Sequence, residues 1–178
     1  RLGLARWLVD PDHPLTARVT VNRLWQIHLG SALVKTTSDF GIQGDRPTHP
    51  ALLDWLATEF MRVKWSRKSM HRLMVTSATY RQTSKRRADL TRTDPYNRLL
   101  GRQTRLRLEG EIIRDNALTI SGLLSRKIGG PGVFPPQPDG CMNLGQSRRK
   151  WTASTGKDRY RRAVYTYRWR ATPHPALK

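Results

Sequence analysis

Three of the 13 acidic side chains, Glu109, Glu111 and Asp115, fall within one seven-residue stretch. Glu111 and Asp115 are four apart, so on a helix they share a face, close enough to share a proton or hold a cation between them. A carboxylate pair of that kind serves general acid–base chemistry, glycoside hydrolysis included. His49 and Asp39, in a polar stretch rich in turn formers, are the further candidates for such a hydrolytic site. A simpler use for the same acids is pairing with Arg105, Arg107 and Arg114, and acids near a helix N-terminus also favour its dipole.

Other chemistries lack their residues. The single cysteine, Cys141, cannot form an internal disulfide, a C-x-x-C redox pair, a multi-cysteine zinc site or a covalent haem attachment. The five histidines, His13, His28, His49, His71 and His174, show no helical zinc-ligand spacing, so no metal is expected. His28 falls on an apolar helical stripe, where a satisfied core role is the expectation. There is no G-x-S-x-G, and the glycines at 129, 130 and 132 have neither a strand before them nor a helix after them. No cofactor is implied.

The charge is more telling. With 33 Lys and Arg against 13 Asp and Glu, the chain carries +20. Between residues 61 and 88 there are nine basic side chains and no acidic one; from 140 to 178 there are ten against Asp158 alone. A field of this sign draws polyanions. The expected anionic partner is a polysaccharide, a nucleic acid or an acidic protein, met by Arg67, Lys68, Arg72, Lys85, Arg86, Arg87, Arg148, Arg149 and Lys150. Trp65 and Trp151, each beside basic residues, are candidate stacking platforms for bases. No DNA-binding motif is present, and no run of residues is long and apolar enough to span a bilayer.

The elements that position these residues are mostly helices. Residues 2–9 read as a short helix closed by two prolines. Thr16 is placed to cap a second, in which Val21, Leu24, Trp25, His28 and Leu29 form one stripe, and Gly30 stops it. Residues 31–50 read as a structured loop. Pro50 opens a third helix with Leu52, Trp55, Leu56 and Phe60 inward. Ser66 caps a fourth, carrying Met70, Leu73, Met74, Ser77 and Tyr80. Residues 81–93 read as a polar loop or a frayed helix end, Asp94-Pro95 starts a helical turn, and a last helix covers about 109–124. Residues 161–170 alternate as a strand, with Ala163, Tyr165, Tyr167 and Trp169 on one side. The expected class is mainly α: roughly five to six helices with long structured loops and a minor C-terminal β element. A helical domain spans 1–128. A Gly/Pro-rich loop and strand segment spans 129–178, and its lone strand, lacking a partner, suggests the start of a continuation.

Several phrases occur together in order: Asn22-Arg23-Leu24-Trp25-Gln26, Ser38-Asp39-Phe40-Gly41, Pro47-Thr48-His49-Pro50 running into Leu53-Asp54-Trp55-Leu56, Thr76-Ser77-Ala78-Thr79-Tyr80-Arg81-Gln82, Ile113-Arg114-Asp115, Ile128-Gly129-Gly130-Pro131 and Tyr160-Arg161-Arg162. As an ordered set along essentially the whole chain, they resemble the planctomycete-type family called domain of unknown function 1553. The resemblance implies the N-terminal part of a larger exported bacterial protein, often joined to a cytochrome c-like domain, and hence an extracytoplasmic (periplasmic) setting. It implies no particular activity and no haem in this chain.

The leading expectation is therefore a non-catalytic binding or interaction module, the rest of a multidomain chain beside it, with a basic surface for an anionic partner. Whether the chain is catalytic stays open. The alternatives are a polysaccharide hydrolase using Glu111 and Asp115, and a nucleic-acid-binding domain; a module docking an acidic cytochrome surface rests on the family analogy alone.

Overall fold

A computed structural model describes residues 1–140 and 150–170. The fold is mainly α. Helices α1 (Leu2–Leu8), α2 (Thr16–Leu29), α3 (Pro50–Arg62), α4 (Arg67–Thr76), α5 (Ala88–Thr93) and α6 (Gly110–Ile120) are followed by two short 3-10 turns, Gly156–Tyr160 and Ala163–Tyr165. No helix among the described residues is long and apolar enough to cross a membrane. The chain divides into two compact units, Arg1–Leu106 and Arg107–Lys178, so α6 belongs with the C-terminal segment.

The first unit is built on α2. Val21, Leu24, Trp25 and Leu29 are buried there against Leu53, Leu56 and Phe60 of α3 and Met70 and Met74 of α4. The apolar stripe of α2 is as its spacing predicts, with His28 only half-buried at its edge. Trp55 is a correction: it is 52% exposed. At about 100° per residue it lies roughly 200° around the helix from Leu53, on the far face, and its size does not override that geometry. Leu53, Ala57 and Phe60 fill the core instead.

Helix ends follow local chemistry. Pro50 occupies the first turn of α3, and Gly30, at φ 82°, ends α2. Ser66 Oγ accepts from the Ser69 N–H at 3.3 Å, capping α4 as expected. Thr16 does not cap α2. It is the first helical residue, the N-cap is Leu15, and His13 Nδ1 accepts from the Leu15 and Thr16 N–H groups at 3.2 and 3.1 Å. Asp94-Pro95 does not start a helix either. The Asp94 carboxylate accepts from the Arg98 and Leu99 N–H groups, both at 2.7 Å, which closes a tight turn rather than leaving donors for a helical ladder.

The second unit has hardly any apolar core. Val133 and Ala163 are its buried hydrophobic residues among those described, and no residue of α6 is buried. That helix ends at Ile120, short of the expected 124, and Ile112, Ile113 and Ile120 face outward. Its centre is Arg161, 1% exposed. The guanidinium donates to the carbonyls of Lys127 (3.2 Å), Gly129 (2.5 Å) and Pro131 (3.2 Å) and lies over the Tyr165 ring at 3.9 Å. Gly129 and Gly130, at φ 76° and 87°, turn the chain around it in a conformation that side-chain-bearing residues avoid.

The expected C-terminal strand is absent from the described residues. Arg161 and Thr166 each make one isolated parallel bridge, to Ser125 and Val133. Between them Tyr165 and Thr166 donate to Arg162 and Ala163, closing the 3-10 turn that consumes the donors a ladder needs. The alternating aromatics pack all the same: Tyr167 stacks on Phe134 at 4.9 Å, and Trp151 meets Phe134 edge-on at 5.2 Å.

Candidate functional site

The carboxylates of α6 are engaged structurally. Asp115 Oδ1 accepts from the Ala163 N–H at 2.8 Å and lies 3.5 Å from the Arg114 guanidinium; Oδ2 is 3.8 Å from Arg162. Glu111 pairs with Arg168 at 3.4 Å. Arginine pairing is thus the outcome, but the partners are Arg114, Arg162 and Arg168 rather than Arg105 and Arg107. Arg114 donates in addition to the Arg161 and Arg159 carbonyls at 2.8 and 3.3 Å. Burial pushes its pKa down, and the adjacent Asp115 charge partly offsets that. The two carboxylates have different partners, and neither lines the cavities at Trp25 or Arg86. A shared proton or cation between them has no support in this arrangement.

In the first unit, Asn22 is fully buried and works as a backbone mimic: its amide donates to the Val34 carbonyl at 3.0 Å and accepts from the Val34 N–H at 2.9 Å. Asp39 shapes its own turn by accepting from the Gly41 N–H at 2.8 Å. His49 sits at the start of α3 with Nδ1 3.0 Å from Thr48 Oγ1. All three hold the loop of residues 31–49 in place.

That loop forms one wall of an open cavity of about 750 Å³, in the size range of small-molecule sites. The turn at residues 96–100 forms the other wall, and Trp25 and Leu33 lie beneath. Lys35, Arg46 and Arg98 face it together with one carboxylate, Asp45, and the ring of Tyr96, which is 84% exposed. None of these four charged side chains makes an ion pair among the described residues. The turn is rigidly specified: Asn97 exchanges hydrogen bonds with the Arg102 backbone at 2.8 and 3.2 Å, and Gln82 donates to the Leu100 carbonyl at 2.9 Å. Asn97 and Leu100 have φ of 53° and 56°. For Leu100 that conformation costs about 1–2 kcal/mol. Such strain persists only where surrounding contacts over-determine it, and it concentrates at ligand-binding sites.

The chain belongs to the PSD1 family of proteins of unknown function (DUF1553), whose model matches residues 1–178. No curated protein and no solved structure matches it.

The basic residues of this PSD1-family chain are distributed as follows. Arg67, Lys68 and Arg72 are exposed on α4, with Lys68 and Arg72 one turn apart on a shared face. Lys85 and Arg86 are exposed in the loop before α5, and Arg87 pairs with Asp89 at 2.7 Å. Arg86 and Arg87 also line a small cavity of about 100 Å³ with Arg102. Lys150 is exposed; Arg148 and Arg149 lie outside the described residues. The two tryptophans flanked by basic residues are packed into their own units. Trp65 meets Phe60 edge-on at 5.1 Å, and Trp151 Nε1 donates to the Pro135 carbonyl at 2.7 Å. Among the described residues no three His, Cys, Asp or Glu side chains are grouped to hold a metal.

Lys35, Arg46, Tyr96 and Arg98 do not stand out in the sequence. For three of them the signal is indirect: Arg46, Tyr96 and Arg98 lie in or beside the turn-forming phrases Gly44-Asp45-Arg46-Pro47 and Asp94-Pro95-Tyr96-Asn97, whereas Lys35 has no such neighbour. An aromatic residue held between turn formers has no core to enter, which marks it as a surface feature.

Proposed function

We propose that this chain is a non-catalytic binding domain, part of a larger exported protein, whose basic surface engages an anionic partner. The observation that supports it most is a contrast in pairing. Arg67, Lys68, Arg72, Lys85 and Arg86 are exposed and make no ion pair among the described residues, whereas Glu111 and Asp115, the acids best suited to catalysis, are both tied to arginines. Unpaired cations keep their full field for an incoming anion. Retention on immobilised heparin across a salt series tests the reading. A steep salt slope that flattens in the triple variant Arg67→Ala/Lys68→Ala/Arg72→Ala is expected, because each phosphate- or sulfate-like contact released adds to the slope. Elution of the parent chain well below physiological salt overturns it.

A further inference from the structure

We infer that the cavity lined by Lys35, Arg46, Arg98, Asp45, Tyr96 and Trp25 is a binding subsite for an acidic sugar residue of an anionic polysaccharide. This rests on the reading of the chain as a domain for an anionic partner, and deepens it by naming a second, concave place and a ligand class.

The argument comes from the mixture of groups. Three cations against one carboxylate make the lining attractive to an anion. A phosphate ester is a poor match, however. Phosphate sites rely on clustered free backbone N–H groups, and along residues 97–100 and at Asp45 those donors are spent. The Arg98 and Leu99 N–H groups go to the Asp94 carboxylate, the Leu100 N–H goes to the Asn97 carbonyl, and the Asp45 N–H goes to Thr36 Oγ1 at 2.9 Å. Asp45 itself accepts hydrogen bonds and donates none. It repels an all-acceptor phosphate but matches the hydroxyl donors of a sugar.

The remaining groups fit the same ligand. Tyr96 offers an exposed flat ring at the rim, against which the C–H face of a pyranose packs by dispersion. Trp25 is only 5% exposed, lines the cavity, and its indole N–H donates to no other described residue. That N–H is free to donate to a sugar hydroxyl or carboxylate oxygen. An acidic sugar therefore uses every type of group present: its carboxylate or sulfate meets Arg98, Arg46 or Lys35, its hydroxyls meet Asp45, and its apolar face meets Tyr96. The strained, braced turn at 96–100 holds Tyr96 and Arg98 in place before the ligand arrives, which lowers the ordering cost of binding.

The test is calorimetric titration of the 178-residue chain with a tetramer of galacturonic acid, with a neutral tetrasaccharide and a short single-stranded DNA as comparison ligands. Binding of the uronate and not of the neutral sugar is expected. Arg98→Ala is expected to weaken it by roughly ten- to hundredfold, as for loss of a charge-assisted hydrogen bond, and Tyr96→Ala by a smaller factor. Asp45→Ala is the discriminating variant. It weakens uronate binding if Asp45 receives sugar hydroxyls; if it instead tightens binding, or if DNA occupies the cavity in preference to the uronate, the sugar assignment is overturned. So is undetectable uronate binding, or equal affinity in Arg98→Ala and Tyr96→Ala. The Arg67→Ala/Lys68→Ala/Arg72→Ala chain separates the two readings: it loses heparin retention but keeps uronate affinity when both hold.

Discussion

The two units of this chain solve the same problem by different physics. In Arg1–Leu106, three helices bury a continuous apolar cluster, and polar side chains such as Asn22 and Asp94 serve the backbone around it. In Arg107–Lys178, a buried arginine takes the place of a core, gathering three loop carbonyls, while Arg114 and Asp115 fasten the backbone on either side. Apolar packing is non-directional and survives changes in detail. A network of charge-assisted hydrogen bonds is directional, and it fails where one member is missing. The lesson is that a chain with a large basic excess can use part of that excess as scaffold. Arg114 and Arg161 belong to the architecture of the second unit, whereas Arg67, Lys68 and Arg72 are left to the solvent.

The sharpest way to break the comparison is Arg161→Met. The substitution keeps much of the volume but leaves the Lys127, Gly129 and Pro131 carbonyls without their donor, and a cost of about 3–5 kcal/mol is expected, on the scale of breaking a buried polar network. Hydrogen exchange at the Ser125 and Val133 amides, which bond to Tyr160 and Tyr165, reports the loss within the second unit. Unchanged protection there would mean that the arginine is a passenger. The counterpart in the first unit is Asn22→Leu, which strands both the N–H and the carbonyl of buried Val34. About 2–4 kcal/mol is expected, since an unsatisfied buried group costs about 1–3 kcal/mol. Urea denaturation followed by tryptophan fluorescence measures it.

The same contrast explains what could be read in advance. The packing of α2, α3 and α4 follows from residues spaced at the helical period, so Val21, Leu56, Phe60, Met70 and Met74 were legible as core. Trp55 sits beside Leu56 in sequence but about 200° around the helix from Leu53, so its apolar type does not report its face. The second unit defeats periodicity. Arg161 looks like surface charge in any pattern, yet it is the most buried large side chain there, and the alternation at 161–170 describes packed aromatics joined by a turn rather than a strand. The cavity was hidden for a related reason: Arg98 is far along the chain from the loop that carries Lys35 and Arg46, and the turn braced by Asp94 and Asn97 holds it on the opposite wall.

A finer cut within the second unit compares its two helical carboxylates. Asp115→Ala removes the acceptor of the Ala163 N–H and leaves half-buried Arg114 without its counter-charge, so a loss of about 1–3 kcal/mol is expected. Glu111→Ala removes one mostly exposed pair with Arg168 and is expected to cost no more than about 0.5 kcal/mol. Thermal unfolding of the two variants side by side checks the ordering. Equal losses would place Glu111 in the scaffold too and dissolve the distinction between the two acids.

The smallest expected effect lies at the edge of the first unit's core, where the only close histidine pair among the described residues sits. His28 Nε2 is 2.7 Å from His71 Nδ1, the rings meet edge-on at 5.0 Å, and Tyr80 closes one side at 6.0 Å. At that separation one nitrogen donates and the other accepts, so a single proton lies between the two rings. Burial holds the His28 pKa below its ordinary value of 6.5, and the nearby His71 pushes it the same way. The folded chain therefore refuses a proton that the unfolded chain accepts. This contribution to stability is complete above pH 6.5 and is lost progressively as the pH falls from there to the lowered folded value. A melting temperature that declines between pH 7 and pH 5 more steeply in the parent chain than in His28→Gln is the expected result. A parallel decline would mean that the histidine pair carries none of the acid sensitivity, and that the edge of the apolar unit is not where pH acts.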